Sequence, residues 1–451
     1  MADKPTWIPV QVASLVYLAL FLNFFLVGSI VPLIPRIVEA LGMKASDTSV
    51  ILSTKSFVHM AVSPLIALLS SRIHPEIVFC FGVFCICGAF VGVALSSGLA
   101  GFVVARAVQG VGIASVMVSG MSILIKCTPP AKRGKYTSAA YSALGHSTLV
   151  SPLLSGVMYD YLGQMWTFLI PAIMTFVSGL LAAVVFIRIQ RHVEGTGENV
   201  AMQRLSLWDI WLSLKGILAY PLTPVALIGI FSTGVSFGCF EVTVPALLAN
   251  TELSVIMTNL LWSIGPLCFT IVVPIIGFMV DKRGPTRFFI LGLFLFAVFY
   301  PLFHLVADSL WGLGLIIGLI FTMDAFLEVT VYPIIALIVD ARNANSILPF
   351  AYSMNEVCIQ AGFAVGDLVG VPISEWGGLK AIGIIMGGWD GLFGIISIFL
   401  WRYSLRLPVV EVPGTAADSD IRNEPDIMPQ ASQVEKVRPA ETTSESIKQT
   451  T

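Results

Sequence analysis

Apolar residues in this chain neither alternate with polar ones nor keep to one helical face; they run on for twenty or more positions at a time. A membrane-crossing helix needs about 20 predominantly apolar residues. Twelve segments reach that length, at approximately 9–35, 47–71, 77–97, 100–126, 136–161, 166–188, 221–249, 256–280, 287–307, 310–339, 348–372 and 379–402. Continuous runs predict helices, because a barrel strand would turn every second residue toward a polar lumen. The expected architecture is therefore an all-α membrane protein with twelve transmembrane helices.

The polar stretches between spans orient the bundle. Loops on one side carry Arg72; Lys126, Lys132, Arg133 and Lys135; Arg188, Arg191, Arg204 and Lys215; Lys282, Arg283 and Arg287; and Arg342. The opposite loops carry only Arg36, Lys44 and Lys380. Cationic loops stay in the cytoplasm, which places both termini there. The longest internal connection sets the expected boundaries: an N-terminal six-helix half over 1–188, a cytoplasmic central loop over 189–220 and a C-terminal half over 221–406. From 407 to 451, Pro, Ser, Thr, Asp and Glu displace large apolar residues, the composition of a disordered cytoplasmic tail.

Composition narrows the function. Of 451 residues, 56% are hydrophobic and 12% charged, with a mean hydropathy of +0.89. Soluble domains are about 25% charged, so an ordinary cytosolic enzyme is excluded. A net charge of −2 supplies no basic footprint for nucleic acid. Six of the seven cysteines fall in apolar runs, where they pack as small hydrophobes, and Cys127 sits in a basic loop. No Walker-type phosphate loop, HExxH, G-x-S-x-G or Cys/His metal spacing occurs, so neither an enzyme nor a cofactor or metal is expected.

Three motifs carry more information. Gly277, Asp281, Lys282, Arg283, Gly284 and Arg287 stand between spans 8 and 9 in the pattern G-x-x-x-D-[RK]-x-G-x-x-R. Small Gly277 suits close helix approach, Asp281 suits pairing at a helix end, and the cations suit the cytoplasmic surface. A degenerate copy lies between spans 2 and 3, with Ser71 at the Asp position, as an internal repeat predicts. Span 4 holds Arg106, Gln109, Gly110 and Gly112 as R-x-x-Q-G-x-G. Span 5 runs from Gly145 to Gly156 through Pro152, with Ser where two glycines are expected in G-x-x-x-G-P-x-x-G-G.

These motifs resemble those of the major facilitator superfamily, and the span 4 and span 5 elements are similar to those of its proton-coupled and antiporter members. Leu22 to Pro35, Ser53 to Lys55 with Pro64, Phe240 to Pro245, Glu328 to Arg342, Ala351 to Glu356 and Asp390 look more specifically like vesicular amine transporters, in the 12-span drug:proton antiporter branch. The resemblance implies the major facilitator fold, with two pseudo-symmetric six-helix halves. It implies that Lys55 and Glu356 pair across the halves, that Glu328 couples to protons and that Glu241 lies near substrate. Two departures stand out: Asn23 occupies the place of the family's span 1 Asp, and the long loop after span 1 is absent.

Independently of family, ionisable residues at membrane depth are functional candidates. The first half offers Lys55, Arg106, His59 and His146; the second offers Glu241, Asp324, Glu328, Glu356, Asp367 and Asp390. Cations in one half and acids in the other can pair and separate as the halves rock. The expected proton-coupling set is Glu328, Asp324, Glu356, Lys55 and Arg106. Glu241, Asn23 and Tyr352 are the expected substrate contacts. His59 and His146 read as packing or hydrogen-bonding residues, and Asp367 and Asp390 as lying nearer helix ends or lipid. Trp7, Trp166, Trp311 and Trp401 at span ends read as interfacial anchors. The function expected is proton-driven export of a small organic molecule (a drug, amine or secondary metabolite) by a monomer in the lipid bilayer. The plasma membrane is the first expectation for location and a vacuolar or vesicular membrane the second. A proton symporter or uniporter importing a metabolite, or a non-transporting receptor, is the alternative.

Overall fold

The computed structural model describes residues 7–128, 136, 139–140, 142–195, 215–216, 218, 222–249, 253–306, 309–341 and 348–404. The tail and most of the central connection lie outside the described residues, as do Lys132, Arg133, Lys135, Arg204 and Arg342. Ten long helices carry the fold: α1 Trp7–Ala40, α2 Ala45–Arg72, α3 Pro75–Leu95, α4 Leu99–Cys127, α5 Ala143–Gly195, α6 Leu222–Ala249, α7 Val255–Arg283, α8 Pro285–Phe299, α9 Leu310–Ala341 and α10 Leu348–Ser404. All ten of these helices among the described residues, α8 counted with the turn that carries it on to Leu302, are long and apolar enough to cross a membrane, as the hydropathy pattern predicts. The chain from Met1 to Val410 forms one compact unit.

Two helices are too long to be single spans. At 1.5 Å per residue, the 53 residues of α5 would extend about 80 Å against a hydrocarbon core of about 30 Å. Each is broken where the ladder of helical hydrogen bonds fails: α5 at Gly163 (φ 72°, ψ 178°) and α10 at Gly377 and Gly378, the latter with φ 62°. A positive φ costs an L-residue about 1–2 kcal/mol, so glycine is the residue that permits these reversals. The arms of α5 coincide with predicted spans 5 and 6, and those of α10 with spans 11 and 12. After α8, Tyr300–Leu302 tighten into a 3₁₀ turn, where Pro301 can donate no backbone hydrogen bond.

The outward faces are apolar in a way that water would not tolerate. Ile173, Val177, Leu180, Leu181, Val184 and Ile187 are exposed along the second arm of α5, and Leu392, Ile395 and Phe399 along the second arm of α10. Trp311 is 92% exposed, in keeping with an interfacial anchor, whereas Trp7 receives the Arg188 guanidinium 5.9 Å from its ring centroid.

Inside, helices approach through glycine. Cβ atoms built on Gly234 and Gly238 of α6 would lie 2.6 Å from the Ile359 carbonyl oxygen and 2.8 Å from that of Phe363 on α10. Gly362, Gly366 and Gly370 return the contact from α10. Lipid tails provide no hydrophobic drive between helices, so backbone proximity of this kind supplies the packing. In the first half, Gly110 of α4 rests on the α2 backbone at Lys55 and His59, and Gly112 faces Gly82 and Ile86 of α3.

The loop motif after α7 is shaped by Gly284, whose φ of 81° ends α7 while its N–H donates to the Val280 carbonyl at 2.8 Å. Among the described residues, Gly277 makes no close helix approach of the kind its spacing predicts: a Cβ there would meet nothing within 4 Å, and its neighbours Ile275 and Phe278 are exposed. The side chain of Asp281 lies outside the described residues, and Arg283 and Arg287 are exposed at the helix ends.

These contacts predict opposite outcomes for two alanine substitutions. Gly110→Ala would place a methyl 2.7 Å from the Lys55 carbonyl oxygen and 3.0 Å from the His59 nitrogen, an overpacking worth about 1–3 kcal/mol. Melting followed by fluorescence-detected size exclusion is expected to fall by several degrees for Gly110→Ala and to stay at the wild-type value for Gly277→Ala.

Candidate functional site

The polar centre is built from helices of both predicted halves. On α4, Arg106 is 1% exposed, and a guanidinium has five N–H donors to satisfy. Its Nε donates to the Ile51 carbonyl of α2 at 3.3 Å and its Nη2 to that of Leu52 at 3.4 Å. Its Nη1 donates to Gln109 Oε1, one turn along α4. Gln109 Nε2 then donates to Asn23 Oδ1 of α1 at 3.2 Å. One chain of hydrogen bonds thus joins α2, α4 and α1, and Asn23 and Gln109 are both buried.

The second half meets this network with carboxylates. Glu241 of α6 and Asp367 of α10, 7% and 2% exposed, act on both Lys55 and Arg106 as opposite charges. Glu356 of α10 adds a third attraction to Lys55. Asp324 and Glu328 lie one turn apart on α9 and repel one another; Glu241 repels Asp324, and Glu356 repels Glu328. Glu241, Asp324, Glu328, Glu356 and Asp367 therefore outnumber Lys55 and Arg106. Buried charge is tolerable only when compensated, and the surplus acids are relieved by binding protons or another cation.

At the junction of α1, α2, α4 and α10 lies a cavity of about 30 Å³. Asn23, Lys55, His59, Glu356 and Gln360 form its polar wall, and Phe24, Ile113 and Met117 its apolar wall. Lys55 Nζ stands 5.5 Å from the centroid of the Phe363 ring, and His59 Nε2 lies 4.0 Å from Glu356 Oε2. A water molecule fits such a volume; an organic ligand, which fills about 300–1,000 Å³, does not.

Contacts away from the centre also join the halves. Arg36, at the end of α1, donates through Nη2 to the Leu253 carbonyl at 2.5 Å and to Thr258 Oγ1 at 3.2 Å, at the start of α7. The first arm of α5 packs on both halves. Ser147 donates to the Phe21 carbonyl of α1 at 2.6 Å, while a Cβ on Gly145 would lie 3.1 Å from Thr270 Oγ1 of α7. Pro152 is buried within that arm.

The expected candidates Lys55, Arg106, Asn23, Gln109, Glu241, Asp324, Glu328 and Glu356 thus share one region, and Gly110 seats two of the helices that carry them. The side chain of Tyr352 lies outside the described residues. Two expectations are corrected. Asp367 and Asp390 do not lie near lipid: they are 2% and 0% exposed, because the glycine seam draws the first arm of α10 onto α6 and the second arm folds back on the same half. Asp390 accepts hydrogen bonds from Ser232 at 2.7 Å and Ser236 at 2.6 Å, and Tyr300 donates to the Ser236 carbonyl at 2.6 Å. His146 is exposed, its Nδ1 3.1 Å from the Tyr17 hydroxyl.

Gln360 and Phe363 escaped the sequence reading as site residues, and Asp367 was among the candidates but read as peripheral. Their signal was present: with Glu356 they fall at i, i+4, i+7 and i+11, a single stripe of one helix.

With this geometry in view, the comparisons with known proteins are specific. The sequence model of the Major Facilitator Superfamily matches residues 16–247 and 226–438, and the chain belongs to that superfamily, as a multi-pass membrane protein. It is similar to the synaptic vesicular amine transporter of Homo sapiens, 25% identical over 371 residues covering 78% of this chain and 66% of that protein. It is similar also to the chromaffin granule amine transporter of Rattus norvegicus, 23% identical over 384 residues covering 80% of this chain and 67% of that one. The chain thus spans just under two thirds of the human relative's length. Among solved structures, a peptide transporter POT in complex with sulfate matches with a TM-score of 0.66 at 15% identity, over 87% of this chain and 95% of that one; at that identity the likeness shows the fold alone.

The hydrogen-bond chain yields a graded prediction. Gln109→Leu removes the partner of both Arg106 Nη1 and Asn23 Oδ1, and leaving buried polar groups unsatisfied costs about 1–3 kcal/mol each. Asn23→Asp keeps an acceptor for Gln109. Melting of the purified protein is expected to fall most for Gln109→Leu and least for Asn23→Asp; the reverse order would show that the chain of bonds does not hold these helices.

Proposed function

We propose that the protein is a secondary active transporter that exports a small organic molecule in exchange for protons by alternating access. The observation that carries this reading is the unequal pairing at the centre: two cations of the first half face a larger set of buried carboxylates from the second. In a membrane such groups are retained for ion or substrate pathways. A surplus carboxylate that takes up a proton weakens its hold on Lys55 or Arg106, which lets the halves part. Losing the proton restores the attraction. The network is thereby a two-state element that proton binding biases.

Within this reading Glu328 is the proton carrier, with Asp324 one turn away able to share the proton, and Glu356 the partner of Lys55. Glu241 lies near substrate, and Arg106 holds the first half in register while setting the field at Glu241 and Asp367. The chain works as twelve spans in two halves, 1–188 and 221–406, with both termini and the 407–451 tail in the cytoplasm. It functions as a monomer, in the plasma membrane or in a vacuolar or vesicular one. The amine transporters it resembles support both the vesicular location and a drug, amine or secondary metabolite as cargo.

Glu328→Gln tests the coupling. Untargeted mass spectrometry of cells and medium is expected to show a compound depleted inside and enriched outside only with the wild type. In proteoliposomes, the same variant is expected to lose substrate-driven proton flux while its melting stays near wild type. Undiminished uphill transport by Glu328→Gln removes the assignment, and accumulation of the compound inside cells points to import or organelle loading.

A further inference from the structure

Two polar side chains that line the central cavity carry atoms with no hydrogen-bond partner among the described residues. His59 of α2 is 2% exposed, and neither ring nitrogen is bonded; Gln360 of α10 is 9% exposed, and its Oε1 is unbonded. Both line the cavity, one from each half. Glu356 Oε2, 4.0 Å from His59 Nε2, is beyond hydrogen-bond reach. Buried polar groups are bonded in the great majority of cases, and exceptions call for an explanation. The cavity they line leaves room beside them for a polar group that could bond both.

The surroundings specify its chemistry. Lys55, one turn before His59, and Glu356 both line the same wall and attract one another as opposite charges, so the site presents no unopposed charge that would call for a charged ligand. Asn23, on the same wall, already accepts one hydrogen bond from Gln109 through its amide oxygen. The remaining wall, Phe24, Ile113 and Met117, is apolar. A neutral imidazole offers one N–H donor and one acceptor nitrogen, and the Gln360 oxygen accepts.

We propose that His59 and Gln360 form the recognition site for a neutral oxygenated lipophile, an alcohol or phenol. Its O–H donates to Gln360 Oε1, its oxygen accepts from the imidazole N–H, and its hydrocarbon lies along Phe24 and Met117. The closed cavity accommodates the polar group alone, and the body of the ligand enters as the halves part. The carboxylates are then left to protons, and the cargo is read by groups that carry no charge. This inference rests on the transport reading for the movement of the ligand, but the binding site itself does not require it.

The test uses the full chain in lipid nanodiscs and a library built as triplets on shared lipophilic skeletons: an alcohol or phenol, its methyl ether and the matching ammonium compound. Affinity selection read by mass spectrometry is expected to retain the hydroxyl compounds at least about tenfold over both counterparts, since a site that bonds a hydroxyl discriminates strongly against analogues lacking it. His59→Leu and Gln360→Leu are each expected to abolish the preference for alcohol over ether, and His59→Gln to retain it. That rescue separates recognition from packing, and Gln360→Leu carries the test if His59→Leu does not fold. Retention of the ammonium compounds instead, a preference that survives both leucine variants, or retention of no compound by the wild type overturns the proposal. Selective retention without proton-driven flux in liposomes leaves this site standing and removes the export reading; proton-driven flux of the ammonium compounds does the reverse.

Discussion

A guanidinium buried among membrane-length helices has no water to turn to, and the arrangement of this protein follows from how Arg106 is satisfied. Carbonyls of α2 take two of its donors and Gln109 a third. Gln109 in turn binds Asn23, which fixes α1. The residual charge is met by Glu241 and Asp367 from the opposite half. Three helices are thereby locked to one another by hydrogen bonds to neutral acceptors, while the attraction across this point to Glu241 and Asp367 is one of opposite charges. The two kinds of contact differ in reversibility. Bonds within the first half must persist, because nothing else can replace them in lipid, whereas attraction between halves varies with the protonation of the acids.

Glycine supplies the geometry that these charges need. Gly110 lets α4 settle directly on the α2 backbone at Lys55 and His59, so that Arg106 and Lys55 share a neighbourhood despite their mutual repulsion. On the other side, the α6–α10 contact brings Asp367 against Gly238. A larger residue at either place would separate the helices and lengthen every electrostatic interaction across the centre, which in a medium of low dielectric weakens them steeply in energy.

Most of this was legible in the residues themselves. The apolar runs located the helices to within a few residues, and the reversals at Gly163 and at Gly377 and Gly378 fell between predicted spans. The rarity of charge in apolar runs singled out Lys55, Arg106, Glu241, Asp324, Glu328 and Glu356, because in lipid the cost of a charge makes each one informative. What was not legible concerned direction. Asp367 and Asp390 looked peripheral because sequence position does not tell which face of a helix meets lipid, and the glycines that decide it act through a partner helix distant in the chain. Gly277 failed for the complementary reason: smallness is a permission for contact, and only the partner shows whether it is used. His59 was a candidate read as packing or hydrogen-bonding and Gln360 was passed over, because the unbonded ring nitrogens of the one and Oε1 of the other emerge only in three dimensions.

The seam between α6 and α10 has a mechanical meaning. Where backbones touch through Gly234, Gly238, Gly362, Gly366 and Gly370, no side-chain rotamers lie between them to yield under load. The pair is stiff against sliding, and it carries Glu241, Glu356, Gln360 and Asp367 on one framework. Displacement at one of these groups is therefore carried to the others, as along a lever. The contact of α10 with α2 joins this framework to the helices that carry Lys55 and Arg106. A chain built this way leaves the acidic framework to move as one piece.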